Sequence, residues 1–174
     1  MWKFCRVITT QKTELSPNVY EVFETAGKTM IMSMGGASGV IFGSLYQAGA
    51  KGMEPSPEVR PGELAVMFRK SLEAIKERGK ASVGDKTMVD ALEPAVCAME
   101  ENYGDGFQQM MEKAEACARQ GFESTREMTA KFGRAKSLME RAVGYPDAGA
   151  ASVWLIFRSM KEYLAENGSS VKER

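Results

Sequence analysis

The sequence predicts an all-α protein. Apolar residues recur at helical spacing in several separate segments, no stretch alternates as a strand does, and glycine and proline mark the breaks between segments. The number of periodic segments predicts a bundle of roughly six to eight antiparallel amphipathic helices. At 174 residues, 44% of them hydrophobic, the chain can bury one core without disulfide or metal staples, so a single domain over residues 1–174 is expected.

Residues 1–15 carry no clear period and are expected to be irregular. Ser16-Pro17 then offers a capping hydroxyl followed by proline at a first helical position, and Val19, Phe23, Ala26 and Met30 make a helical stripe running to about Met34. Gly35-Gly36-Ala37-Ser38-Gly39 interrupts it, and Val40, Ile41, Leu45 and Tyr46 resume a pattern that fades at Gly49-Ala50-Lys51-Gly52. Pro61 opens a third helix with Leu64, Phe68, Leu72 and Ile75 on its inner face and Gly79 at its end.

Asp85 is placed to cap a helix whose inner face is Val89, Leu92, Val96 and Met99, with Pro94 as a kink. After a turn at Gly104-Asp105-Gly106, Phe107, Met110, Met111, Ala114 and Ala118 form the next stripe, which Gly121 ends or weakens before a short helix over Ser124 to Lys131. Residues 133–149 are rich in breakers. A last helix shows Val153, Ile156, Phe157, Met160 and Leu164 on one face, followed by a frayed tail over 166–174.

Composition removes several function classes. Lys plus Arg and Asp plus Glu are both 23, so there is no long-range field to gather nucleic acid or an anionic membrane, and any phosphate site must be local. With no histidine, Ser-His and Cys-His nucleophilic pairs and most transition-metal sites are excluded. Cys5, Cys97 and Cys117 are odd in number, widely spaced and without a CxxC pair, which fits a reducing compartment. No apolar run is long enough to span a bilayer and the first residues are too mixed for a signal peptide, so a cytoplasmic protein is expected. The 13 methionines read as flexible core filler.

Three segments could carry chemistry. The first, Met34 to Gly39, places glycines and the Ser38 hydroxyl before a helix start, where unpaired N–H groups favour an anion; it lacks the spacing and lysine of a Walker loop, and close helix packing through small residues is the alternative. In the second, Gly84 to Leu92, Asp85 serves as a cap, while Thr87 could meet a sugar or phosphate edge and Met88 a purine face. In the third, Arg134 offers a fork for phosphate oxygens or a surface ion pair, and Asp147, before a small-residue helix start, could cap that helix, ligate a metal or bond a ribose hydroxyl.

Together and in this order, Gly35-Gly36-Ala37-Ser38-Gly39-Val40-Ile41-Phe42-Gly43, Gly84 to Leu92, and Gly133-Arg134-Ala135 through Glu140-Arg141 to Gly144-Tyr145-Pro146-Asp147-Ala148-Gly149-Ala150 resemble the L-subunit family of dihydroxyacetone kinase. The matching family segments are GGASGxLxG, GDKTMxDAL and GRAxxxxER…GxxDPGA, and the resemblance covers about residues 17–165. It implies a barrel of antiparallel helices with ADP or ATP at the loop end. Carried over position by position, it implies that Ala37 and Ser38 meet phosphate and that Gly79 and Met88 flank the adenine, and Gly36 and Thr87 join them as nucleotide-binding candidates. Arg134 and Asp147, Ala148 and Gly149 would close the site, with Arg134 stabilising transferred charge as the catalytic residue. It also implies partners: a K subunit whose histidine holds dihydroxyacetone covalently, and, where the phosphotransferase system is the donor, a subunit that rephosphorylates the bound nucleotide.

The third segment has Ala148 where the family usually has proline. The family also places a GDGDHGxN loop after its first helix, whose aspartates hold magnesium, and nothing comparable precedes Ser16: Glu14, Glu21 and Glu24 have the spacing of a polar helix face. Magnesium is therefore implied by the resemblance without ligands in this sequence. The barrel is expected to be incomplete at its N-terminus, with Trp2, Phe4 and Val7 as a plug. A non-catalytic domain that binds or regulates a partner is the second reading.

Overall fold

A computed structural model describes residues 17–132, 136 and 141–167 of the chain. Among them are six α-helices, short 3-10 turns that include Tyr103–Asp105 and Thr125–Glu127, and no strand. The helices are α1 (Val19–Met34), α2 (Gly36–Ala50), α3 (Pro61–Gly79), α4 (Val89–Asn102), α5 (Phe107–Ser124) and α6 (Ala148–Asn167). They fall into two compact units divided between Gly79 and Lys80. The expected plug of Trp2, Phe4 and Val7 lies outside the described residues, as do Ser16, Arg134 and most of the tail.

In the first unit α1 packs on α2, and α2 on α3. The cap of α1 is Asn18, two residues beyond the predicted Ser16: its Oδ1 accepts the N–H groups of Tyr20 (3.2 Å) and Ser56 (3.3 Å), so one amide starts the helix and pins the later loop. The predicted stripe of Val19, Phe23, Ala26 and Met30 is only half-buried, whereas Tyr20 is buried. α1 and α2 touch through backbone: a Cβ on Gly27 would lie 2.5 Å from the Gly43 carbonyl oxygen, and one on Gly43 2.7 Å from that of Gly27. Pro61 opens α3 as predicted, Glu63 reaching back to the Arg60 N–H (2.8 Å), and Leu64, Phe68, Leu72 and Ile75 are buried.

The second unit is built on α4, which α5 covers closely and α6 less so, while α5 and α6 also pack together. Val89, Leu92, Val96 and Met99 have no exposed surface, as their spacing predicts. Pro94 lies inside this helix and cannot donate to the Asp90 carbonyl. That carbonyl instead faces Gly121 of α5, where a Cβ would stand 2.0 Å from its oxygen. Gly121 thus neither ends α5 nor merely weakens it; it lets α5 pass over α4 at backbone distance. α5 runs on to Ser124, and a 3-10 turn over Thr125–Glu127 replaces the predicted extension to Lys131.

Glu115 on α5 is 9% exposed and joins α5 to α6 by accepting from Trp154 Nε1 (2.7 Å) and Lys161 Nζ (2.6 Å). Phe122 stacks on Trp154 with ring centroids 5.2 Å apart. α6 continues through Glu166 to Asn167, two residues into the expected frayed tail.

Candidate functional site

In the first unit the glycine segment divides by role. Gly35 (φ 62°) and Gly36 (φ 63°) have left-handed backbone with open space where a side chain would be, and they reverse the chain between α1 and α2. Since α2 already begins at Gly36, the predicted five-residue interruption shrinks to Gly35, and Ala37, Ser38 and Gly39 form the first turn of a helix. The Gly39 N–H donates to the Gly35 carbonyl (3.3 Å), and the amides before it belong to the unpaired N-terminal set. Ser38 is exposed. Gly39 and Gly43 answer to the packing alternative: a Cβ at either would press on α1. Gly79 ends α3 with no atom within 4 Å of where a Cβ would be.

In the second unit the loop before α4 folds around Asp90, which is 1% exposed. Its two carboxylate oxygens accept the N–H groups of Gly84 (2.5 Å) and Thr87 (2.6 Å), while Thr87 Oγ1 accepts the Val89 N–H (3.2 Å). Thr87 and Asp90 are therefore the reciprocal cap of α4. Asp85, predicted in that role, turns the other way. It accepts Lys131 Nζ (2.6 Å) and the Ser82 N–H (2.8 Å), and these bonds hold its carboxyl below the ordinary range.

Lys86, between them, has left-handed backbone (φ 60°) that turns its side chain inward, where it is 3% exposed. Its ammonium donates to the main-chain carbonyls of Thr125 (2.5 Å) and Tyr145 (2.7 Å). Burial pushes the ammonium below the ordinary lysine range, against the opposing pull of Asp147 and Asp90.

The approach to α6 is tied to the same place. Gly144 (φ 91°) turns the chain and donates to the Arg126 carbonyl (2.8 Å), and the Asp147 N–H donates to Thr125 Oγ1 (2.9 Å), a hydroxyl with no exposed surface. Asp147 Oδ2 accepts the Ala150 N–H (2.8 Å), so of the three roles open to Asp147 the helix cap is present. Burial raises its carboxyl above the ordinary range, while the amides of Ala150 and Gly149 pull it back. A Cβ on Gly149 would meet Asp147 Oδ2 at 2.9 Å and Met88 Cβ at 3.3 Å. Thr87, Met88, Asp147, Ala148 and Gly149 thus come together from two distant segments. Met88 is 6% exposed, whereas Tyr145, whose carbonyl Lys86 holds, is 72% exposed.

Arg134 lies outside the described residues. Gly104-Asp105-Gly106 is a turn, as expected, with Asp105 paired to Lys113 at 3.0 Å. Among the described residues no three acidic, cysteine or histidine side chains are grouped to hold a metal ion, and no helix is long and apolar enough to cross a membrane. Sequence reasoning missed Lys86, Asp90 and Thr125. The spacing of Thr87 and Asp90 is a capping signal that could have revealed one of them; the bonds of Lys86 and Thr125 have no local signature.

A family model described as the DAK2 domain matches residues 4–162. The chain is 36% identical over 149 residues to the ADP-binding subunit DhaL of PEP-dependent dihydroxyacetone kinase 1 from Listeria innocua, covering 85% of this chain and 70% of that one. With the corresponding subunit of Escherichia coli it shares 31% over 159 residues, covering 90% and 76%. The fold is similar to the crystal structure of dihydroxyacetone kinase from C. freundii in complex with AMP-PNP and Mg2+, with TM-score 0.61 and 25% identity over 84% of this chain and 23% of that larger one.

Proposed function

Because this chain belongs to the DAK2-domain family, we propose that it is the ADP- or ATP-binding subunit of a dihydroxyacetone (glycerone) kinase. The γ-phosphoryl group of bound ATP passes to dihydroxyacetone held on a partner K subunit, and ADP stays behind. The observation that carries this reading is the meeting of Met88, Asp147 and Gly149 at one place in the second unit, where a buried apolar wall, a carboxylate and a position without a side chain adjoin.

Each group has a task its chemistry suits. In the second unit Met88 offers a soft apolar edge to the adenine, Gly149 keeps Met88 and Asp147 in close contact, and the Thr87 hydroxyl can donate to a sugar or phosphate oxygen, while in the first unit Gly79 has open space where a side chain would be. Asp147 caps α6 through Oδ2, so Oδ1 is the oxygen assigned to a ribose hydroxyl. In the first unit the amides of Gly36, Ala37 and Ser38, with the Ser38 hydroxyl, suit a phosphate, since the helix N-terminus carries partial positive charge. Arg134 is assigned to charge that develops on the transferred group. Magnesium accompanies the nucleotide in the C. freundii complex. No carboxylate cluster among the described residues fits that ion. The proposed phosphate donor is ATP or a phosphotransferase-system subunit, and the cytoplasm is the proposed location.

Calorimetric titration with ADP, with and without magnesium, tests the reading. Saturable binding at micromolar concentration or tighter is expected, with Asp147→Ala and Met88→Ala weakening it. No binding in either condition would overturn it. A chain that then still binds a K subunit without phosphoryl transfer would be a regulatory partner instead.

A further inference from the structure

Lys86 does work that the nucleotide contacts leave unexplained. The carbonyls of Thr125 and Tyr145 point at one spot from different segments, and there a single ammonium, with three protons to give, satisfies two of them. It lies within the electrostatic reach of Asp90 and Asp147, whose negative charge offsets part of the desolvation of a buried cation. The left-handed backbone that directs the side chain inward is a strained conformation for lysine, and it is held by the Asp90 brackets on Gly84 and Thr87.

The bonds close a ring. Lys86 holds Thr125 and Tyr145 by their carbonyls, and Thr125 Oγ1 holds the Asp147 N–H, so both ends of the Tyr145–Asp147 stretch are referenced to Thr125. From this geometry we infer that Lys86 is a positioning residue: its ammonium sets the loop that presents Asp147 to a nucleoside diphosphate. The ligand class rests on the function proposed above, whereas the hold on the loop does not. Asp147 caps α6 independently of Lys86, so loss of the ammonium should release the loop while α4, α5 and α6 persist.

The test compares the full chain with Lys86→Met, which keeps the stem without charge, and Lys86→Arg, which keeps charge and donors. Amide hydrogen exchange without nucleotide and ADP affinity by calorimetry are the two readouts. Lys86→Met should speed exchange at Gly144, Tyr145 and Asp147 by about tenfold or more and weaken ADP by a similar factor, and Lys86→Arg should restore most of both. Amides of Val96, Met99 and Met110 should stay as protected as in the wild type. If the wild type binds no ADP, the nucleotide reading fails alone, and local exchange still decides whether Lys86 holds the loop. Unchanged loop exchange in Lys86→Met overturns the inference. So does acceleration spread equally over α4 and α5 in both variants, which would make Lys86 an ordinary core support.

Discussion

Burial pushes the carboxyls of half-buried Asp147 and buried Glu115 the same way, but their net shifts are opposite, and each makes a prediction at the scale of one residue. Asp147 is raised by burial, which its amide partners only partly counter. A raised carboxyl stabilises the fold fully only below its ordinary value of 3.8 and loses that contribution as pH climbs through the folded value, so at neutral pH the charge is a burden. Asparagine caps as well as aspartate and does not ionise. Asp147→Asn should therefore be at least as stable as the wild type in urea at neutral pH, whereas Asp147→Ala should lose about 1 kcal/mol.

Burial opposes ionisation of Glu115 too, yet the bonds from Lys161 and Trp154 prevail and its carboxyl is lowered. Its contribution is present above the ordinary value of 4.5 and lost as pH falls through the folded value. Glu115→Gln should cost about 1–3 kcal/mol at neutral pH, and the gap to wild type should narrow toward about pH 3. Urea unfolding at the two pH values checks this; an equal gap at both would show that the carboxylate charge is irrelevant.

At the scale of elements, glycine has opposite meanings that helix propensity cannot separate. Replacing a helical glycine by alanine should stabilise by up to about 1 kcal/mol if propensity decides. At Gly121 the new Cβ would stand 2.0 Å from a backbone oxygen of α4, and neither backbone can yield without parting the helices. Overpacking of that kind costs about 1–3 kcal/mol and should win, so Gly121→Ala is expected to lower the urea midpoint. Gly79→Ala meets nothing within 4 Å and should leave the midpoint unchanged or higher. The spans of α3 and the inner face of α4 were legible because apolar periodicity is a local property. The cap of α4 was misassigned to Asp85 because two acidic residues flank the helix start, and their choice of partner depends on Lys131, far along the chain.

For the whole molecule, the zero net charge leaves the proposed nucleotide recognition to local groups, and binding should register as stability. ADP at about one hundred times its Kd should add about 2.7 kcal/mol, seen as a rise in the unfolding temperature, and Lys86→Met at the same ADP concentration should show less of that rise. An unfolding temperature independent of ADP would contradict the proposed site.

Helical periodicity, breaker residues and the order of three motifs were enough to determine an all-α chain of this family and to nominate residues from the motifs, since those signals reside in neighbours along the chain. Folding alone decided that Gly43 and Gly121 serve packing while Gly35 and Gly36 serve a turn. It also chose Thr87 and Asp90 over Asp85 as the cap, and tied Lys86 to carbonyls 39 and 59 residues away. Close backbone approach and the pairing of a buried charge depend on which distant segments meet, and a donor that answers main-chain carbonyls leaves no trace in the identities of the residues that bear them.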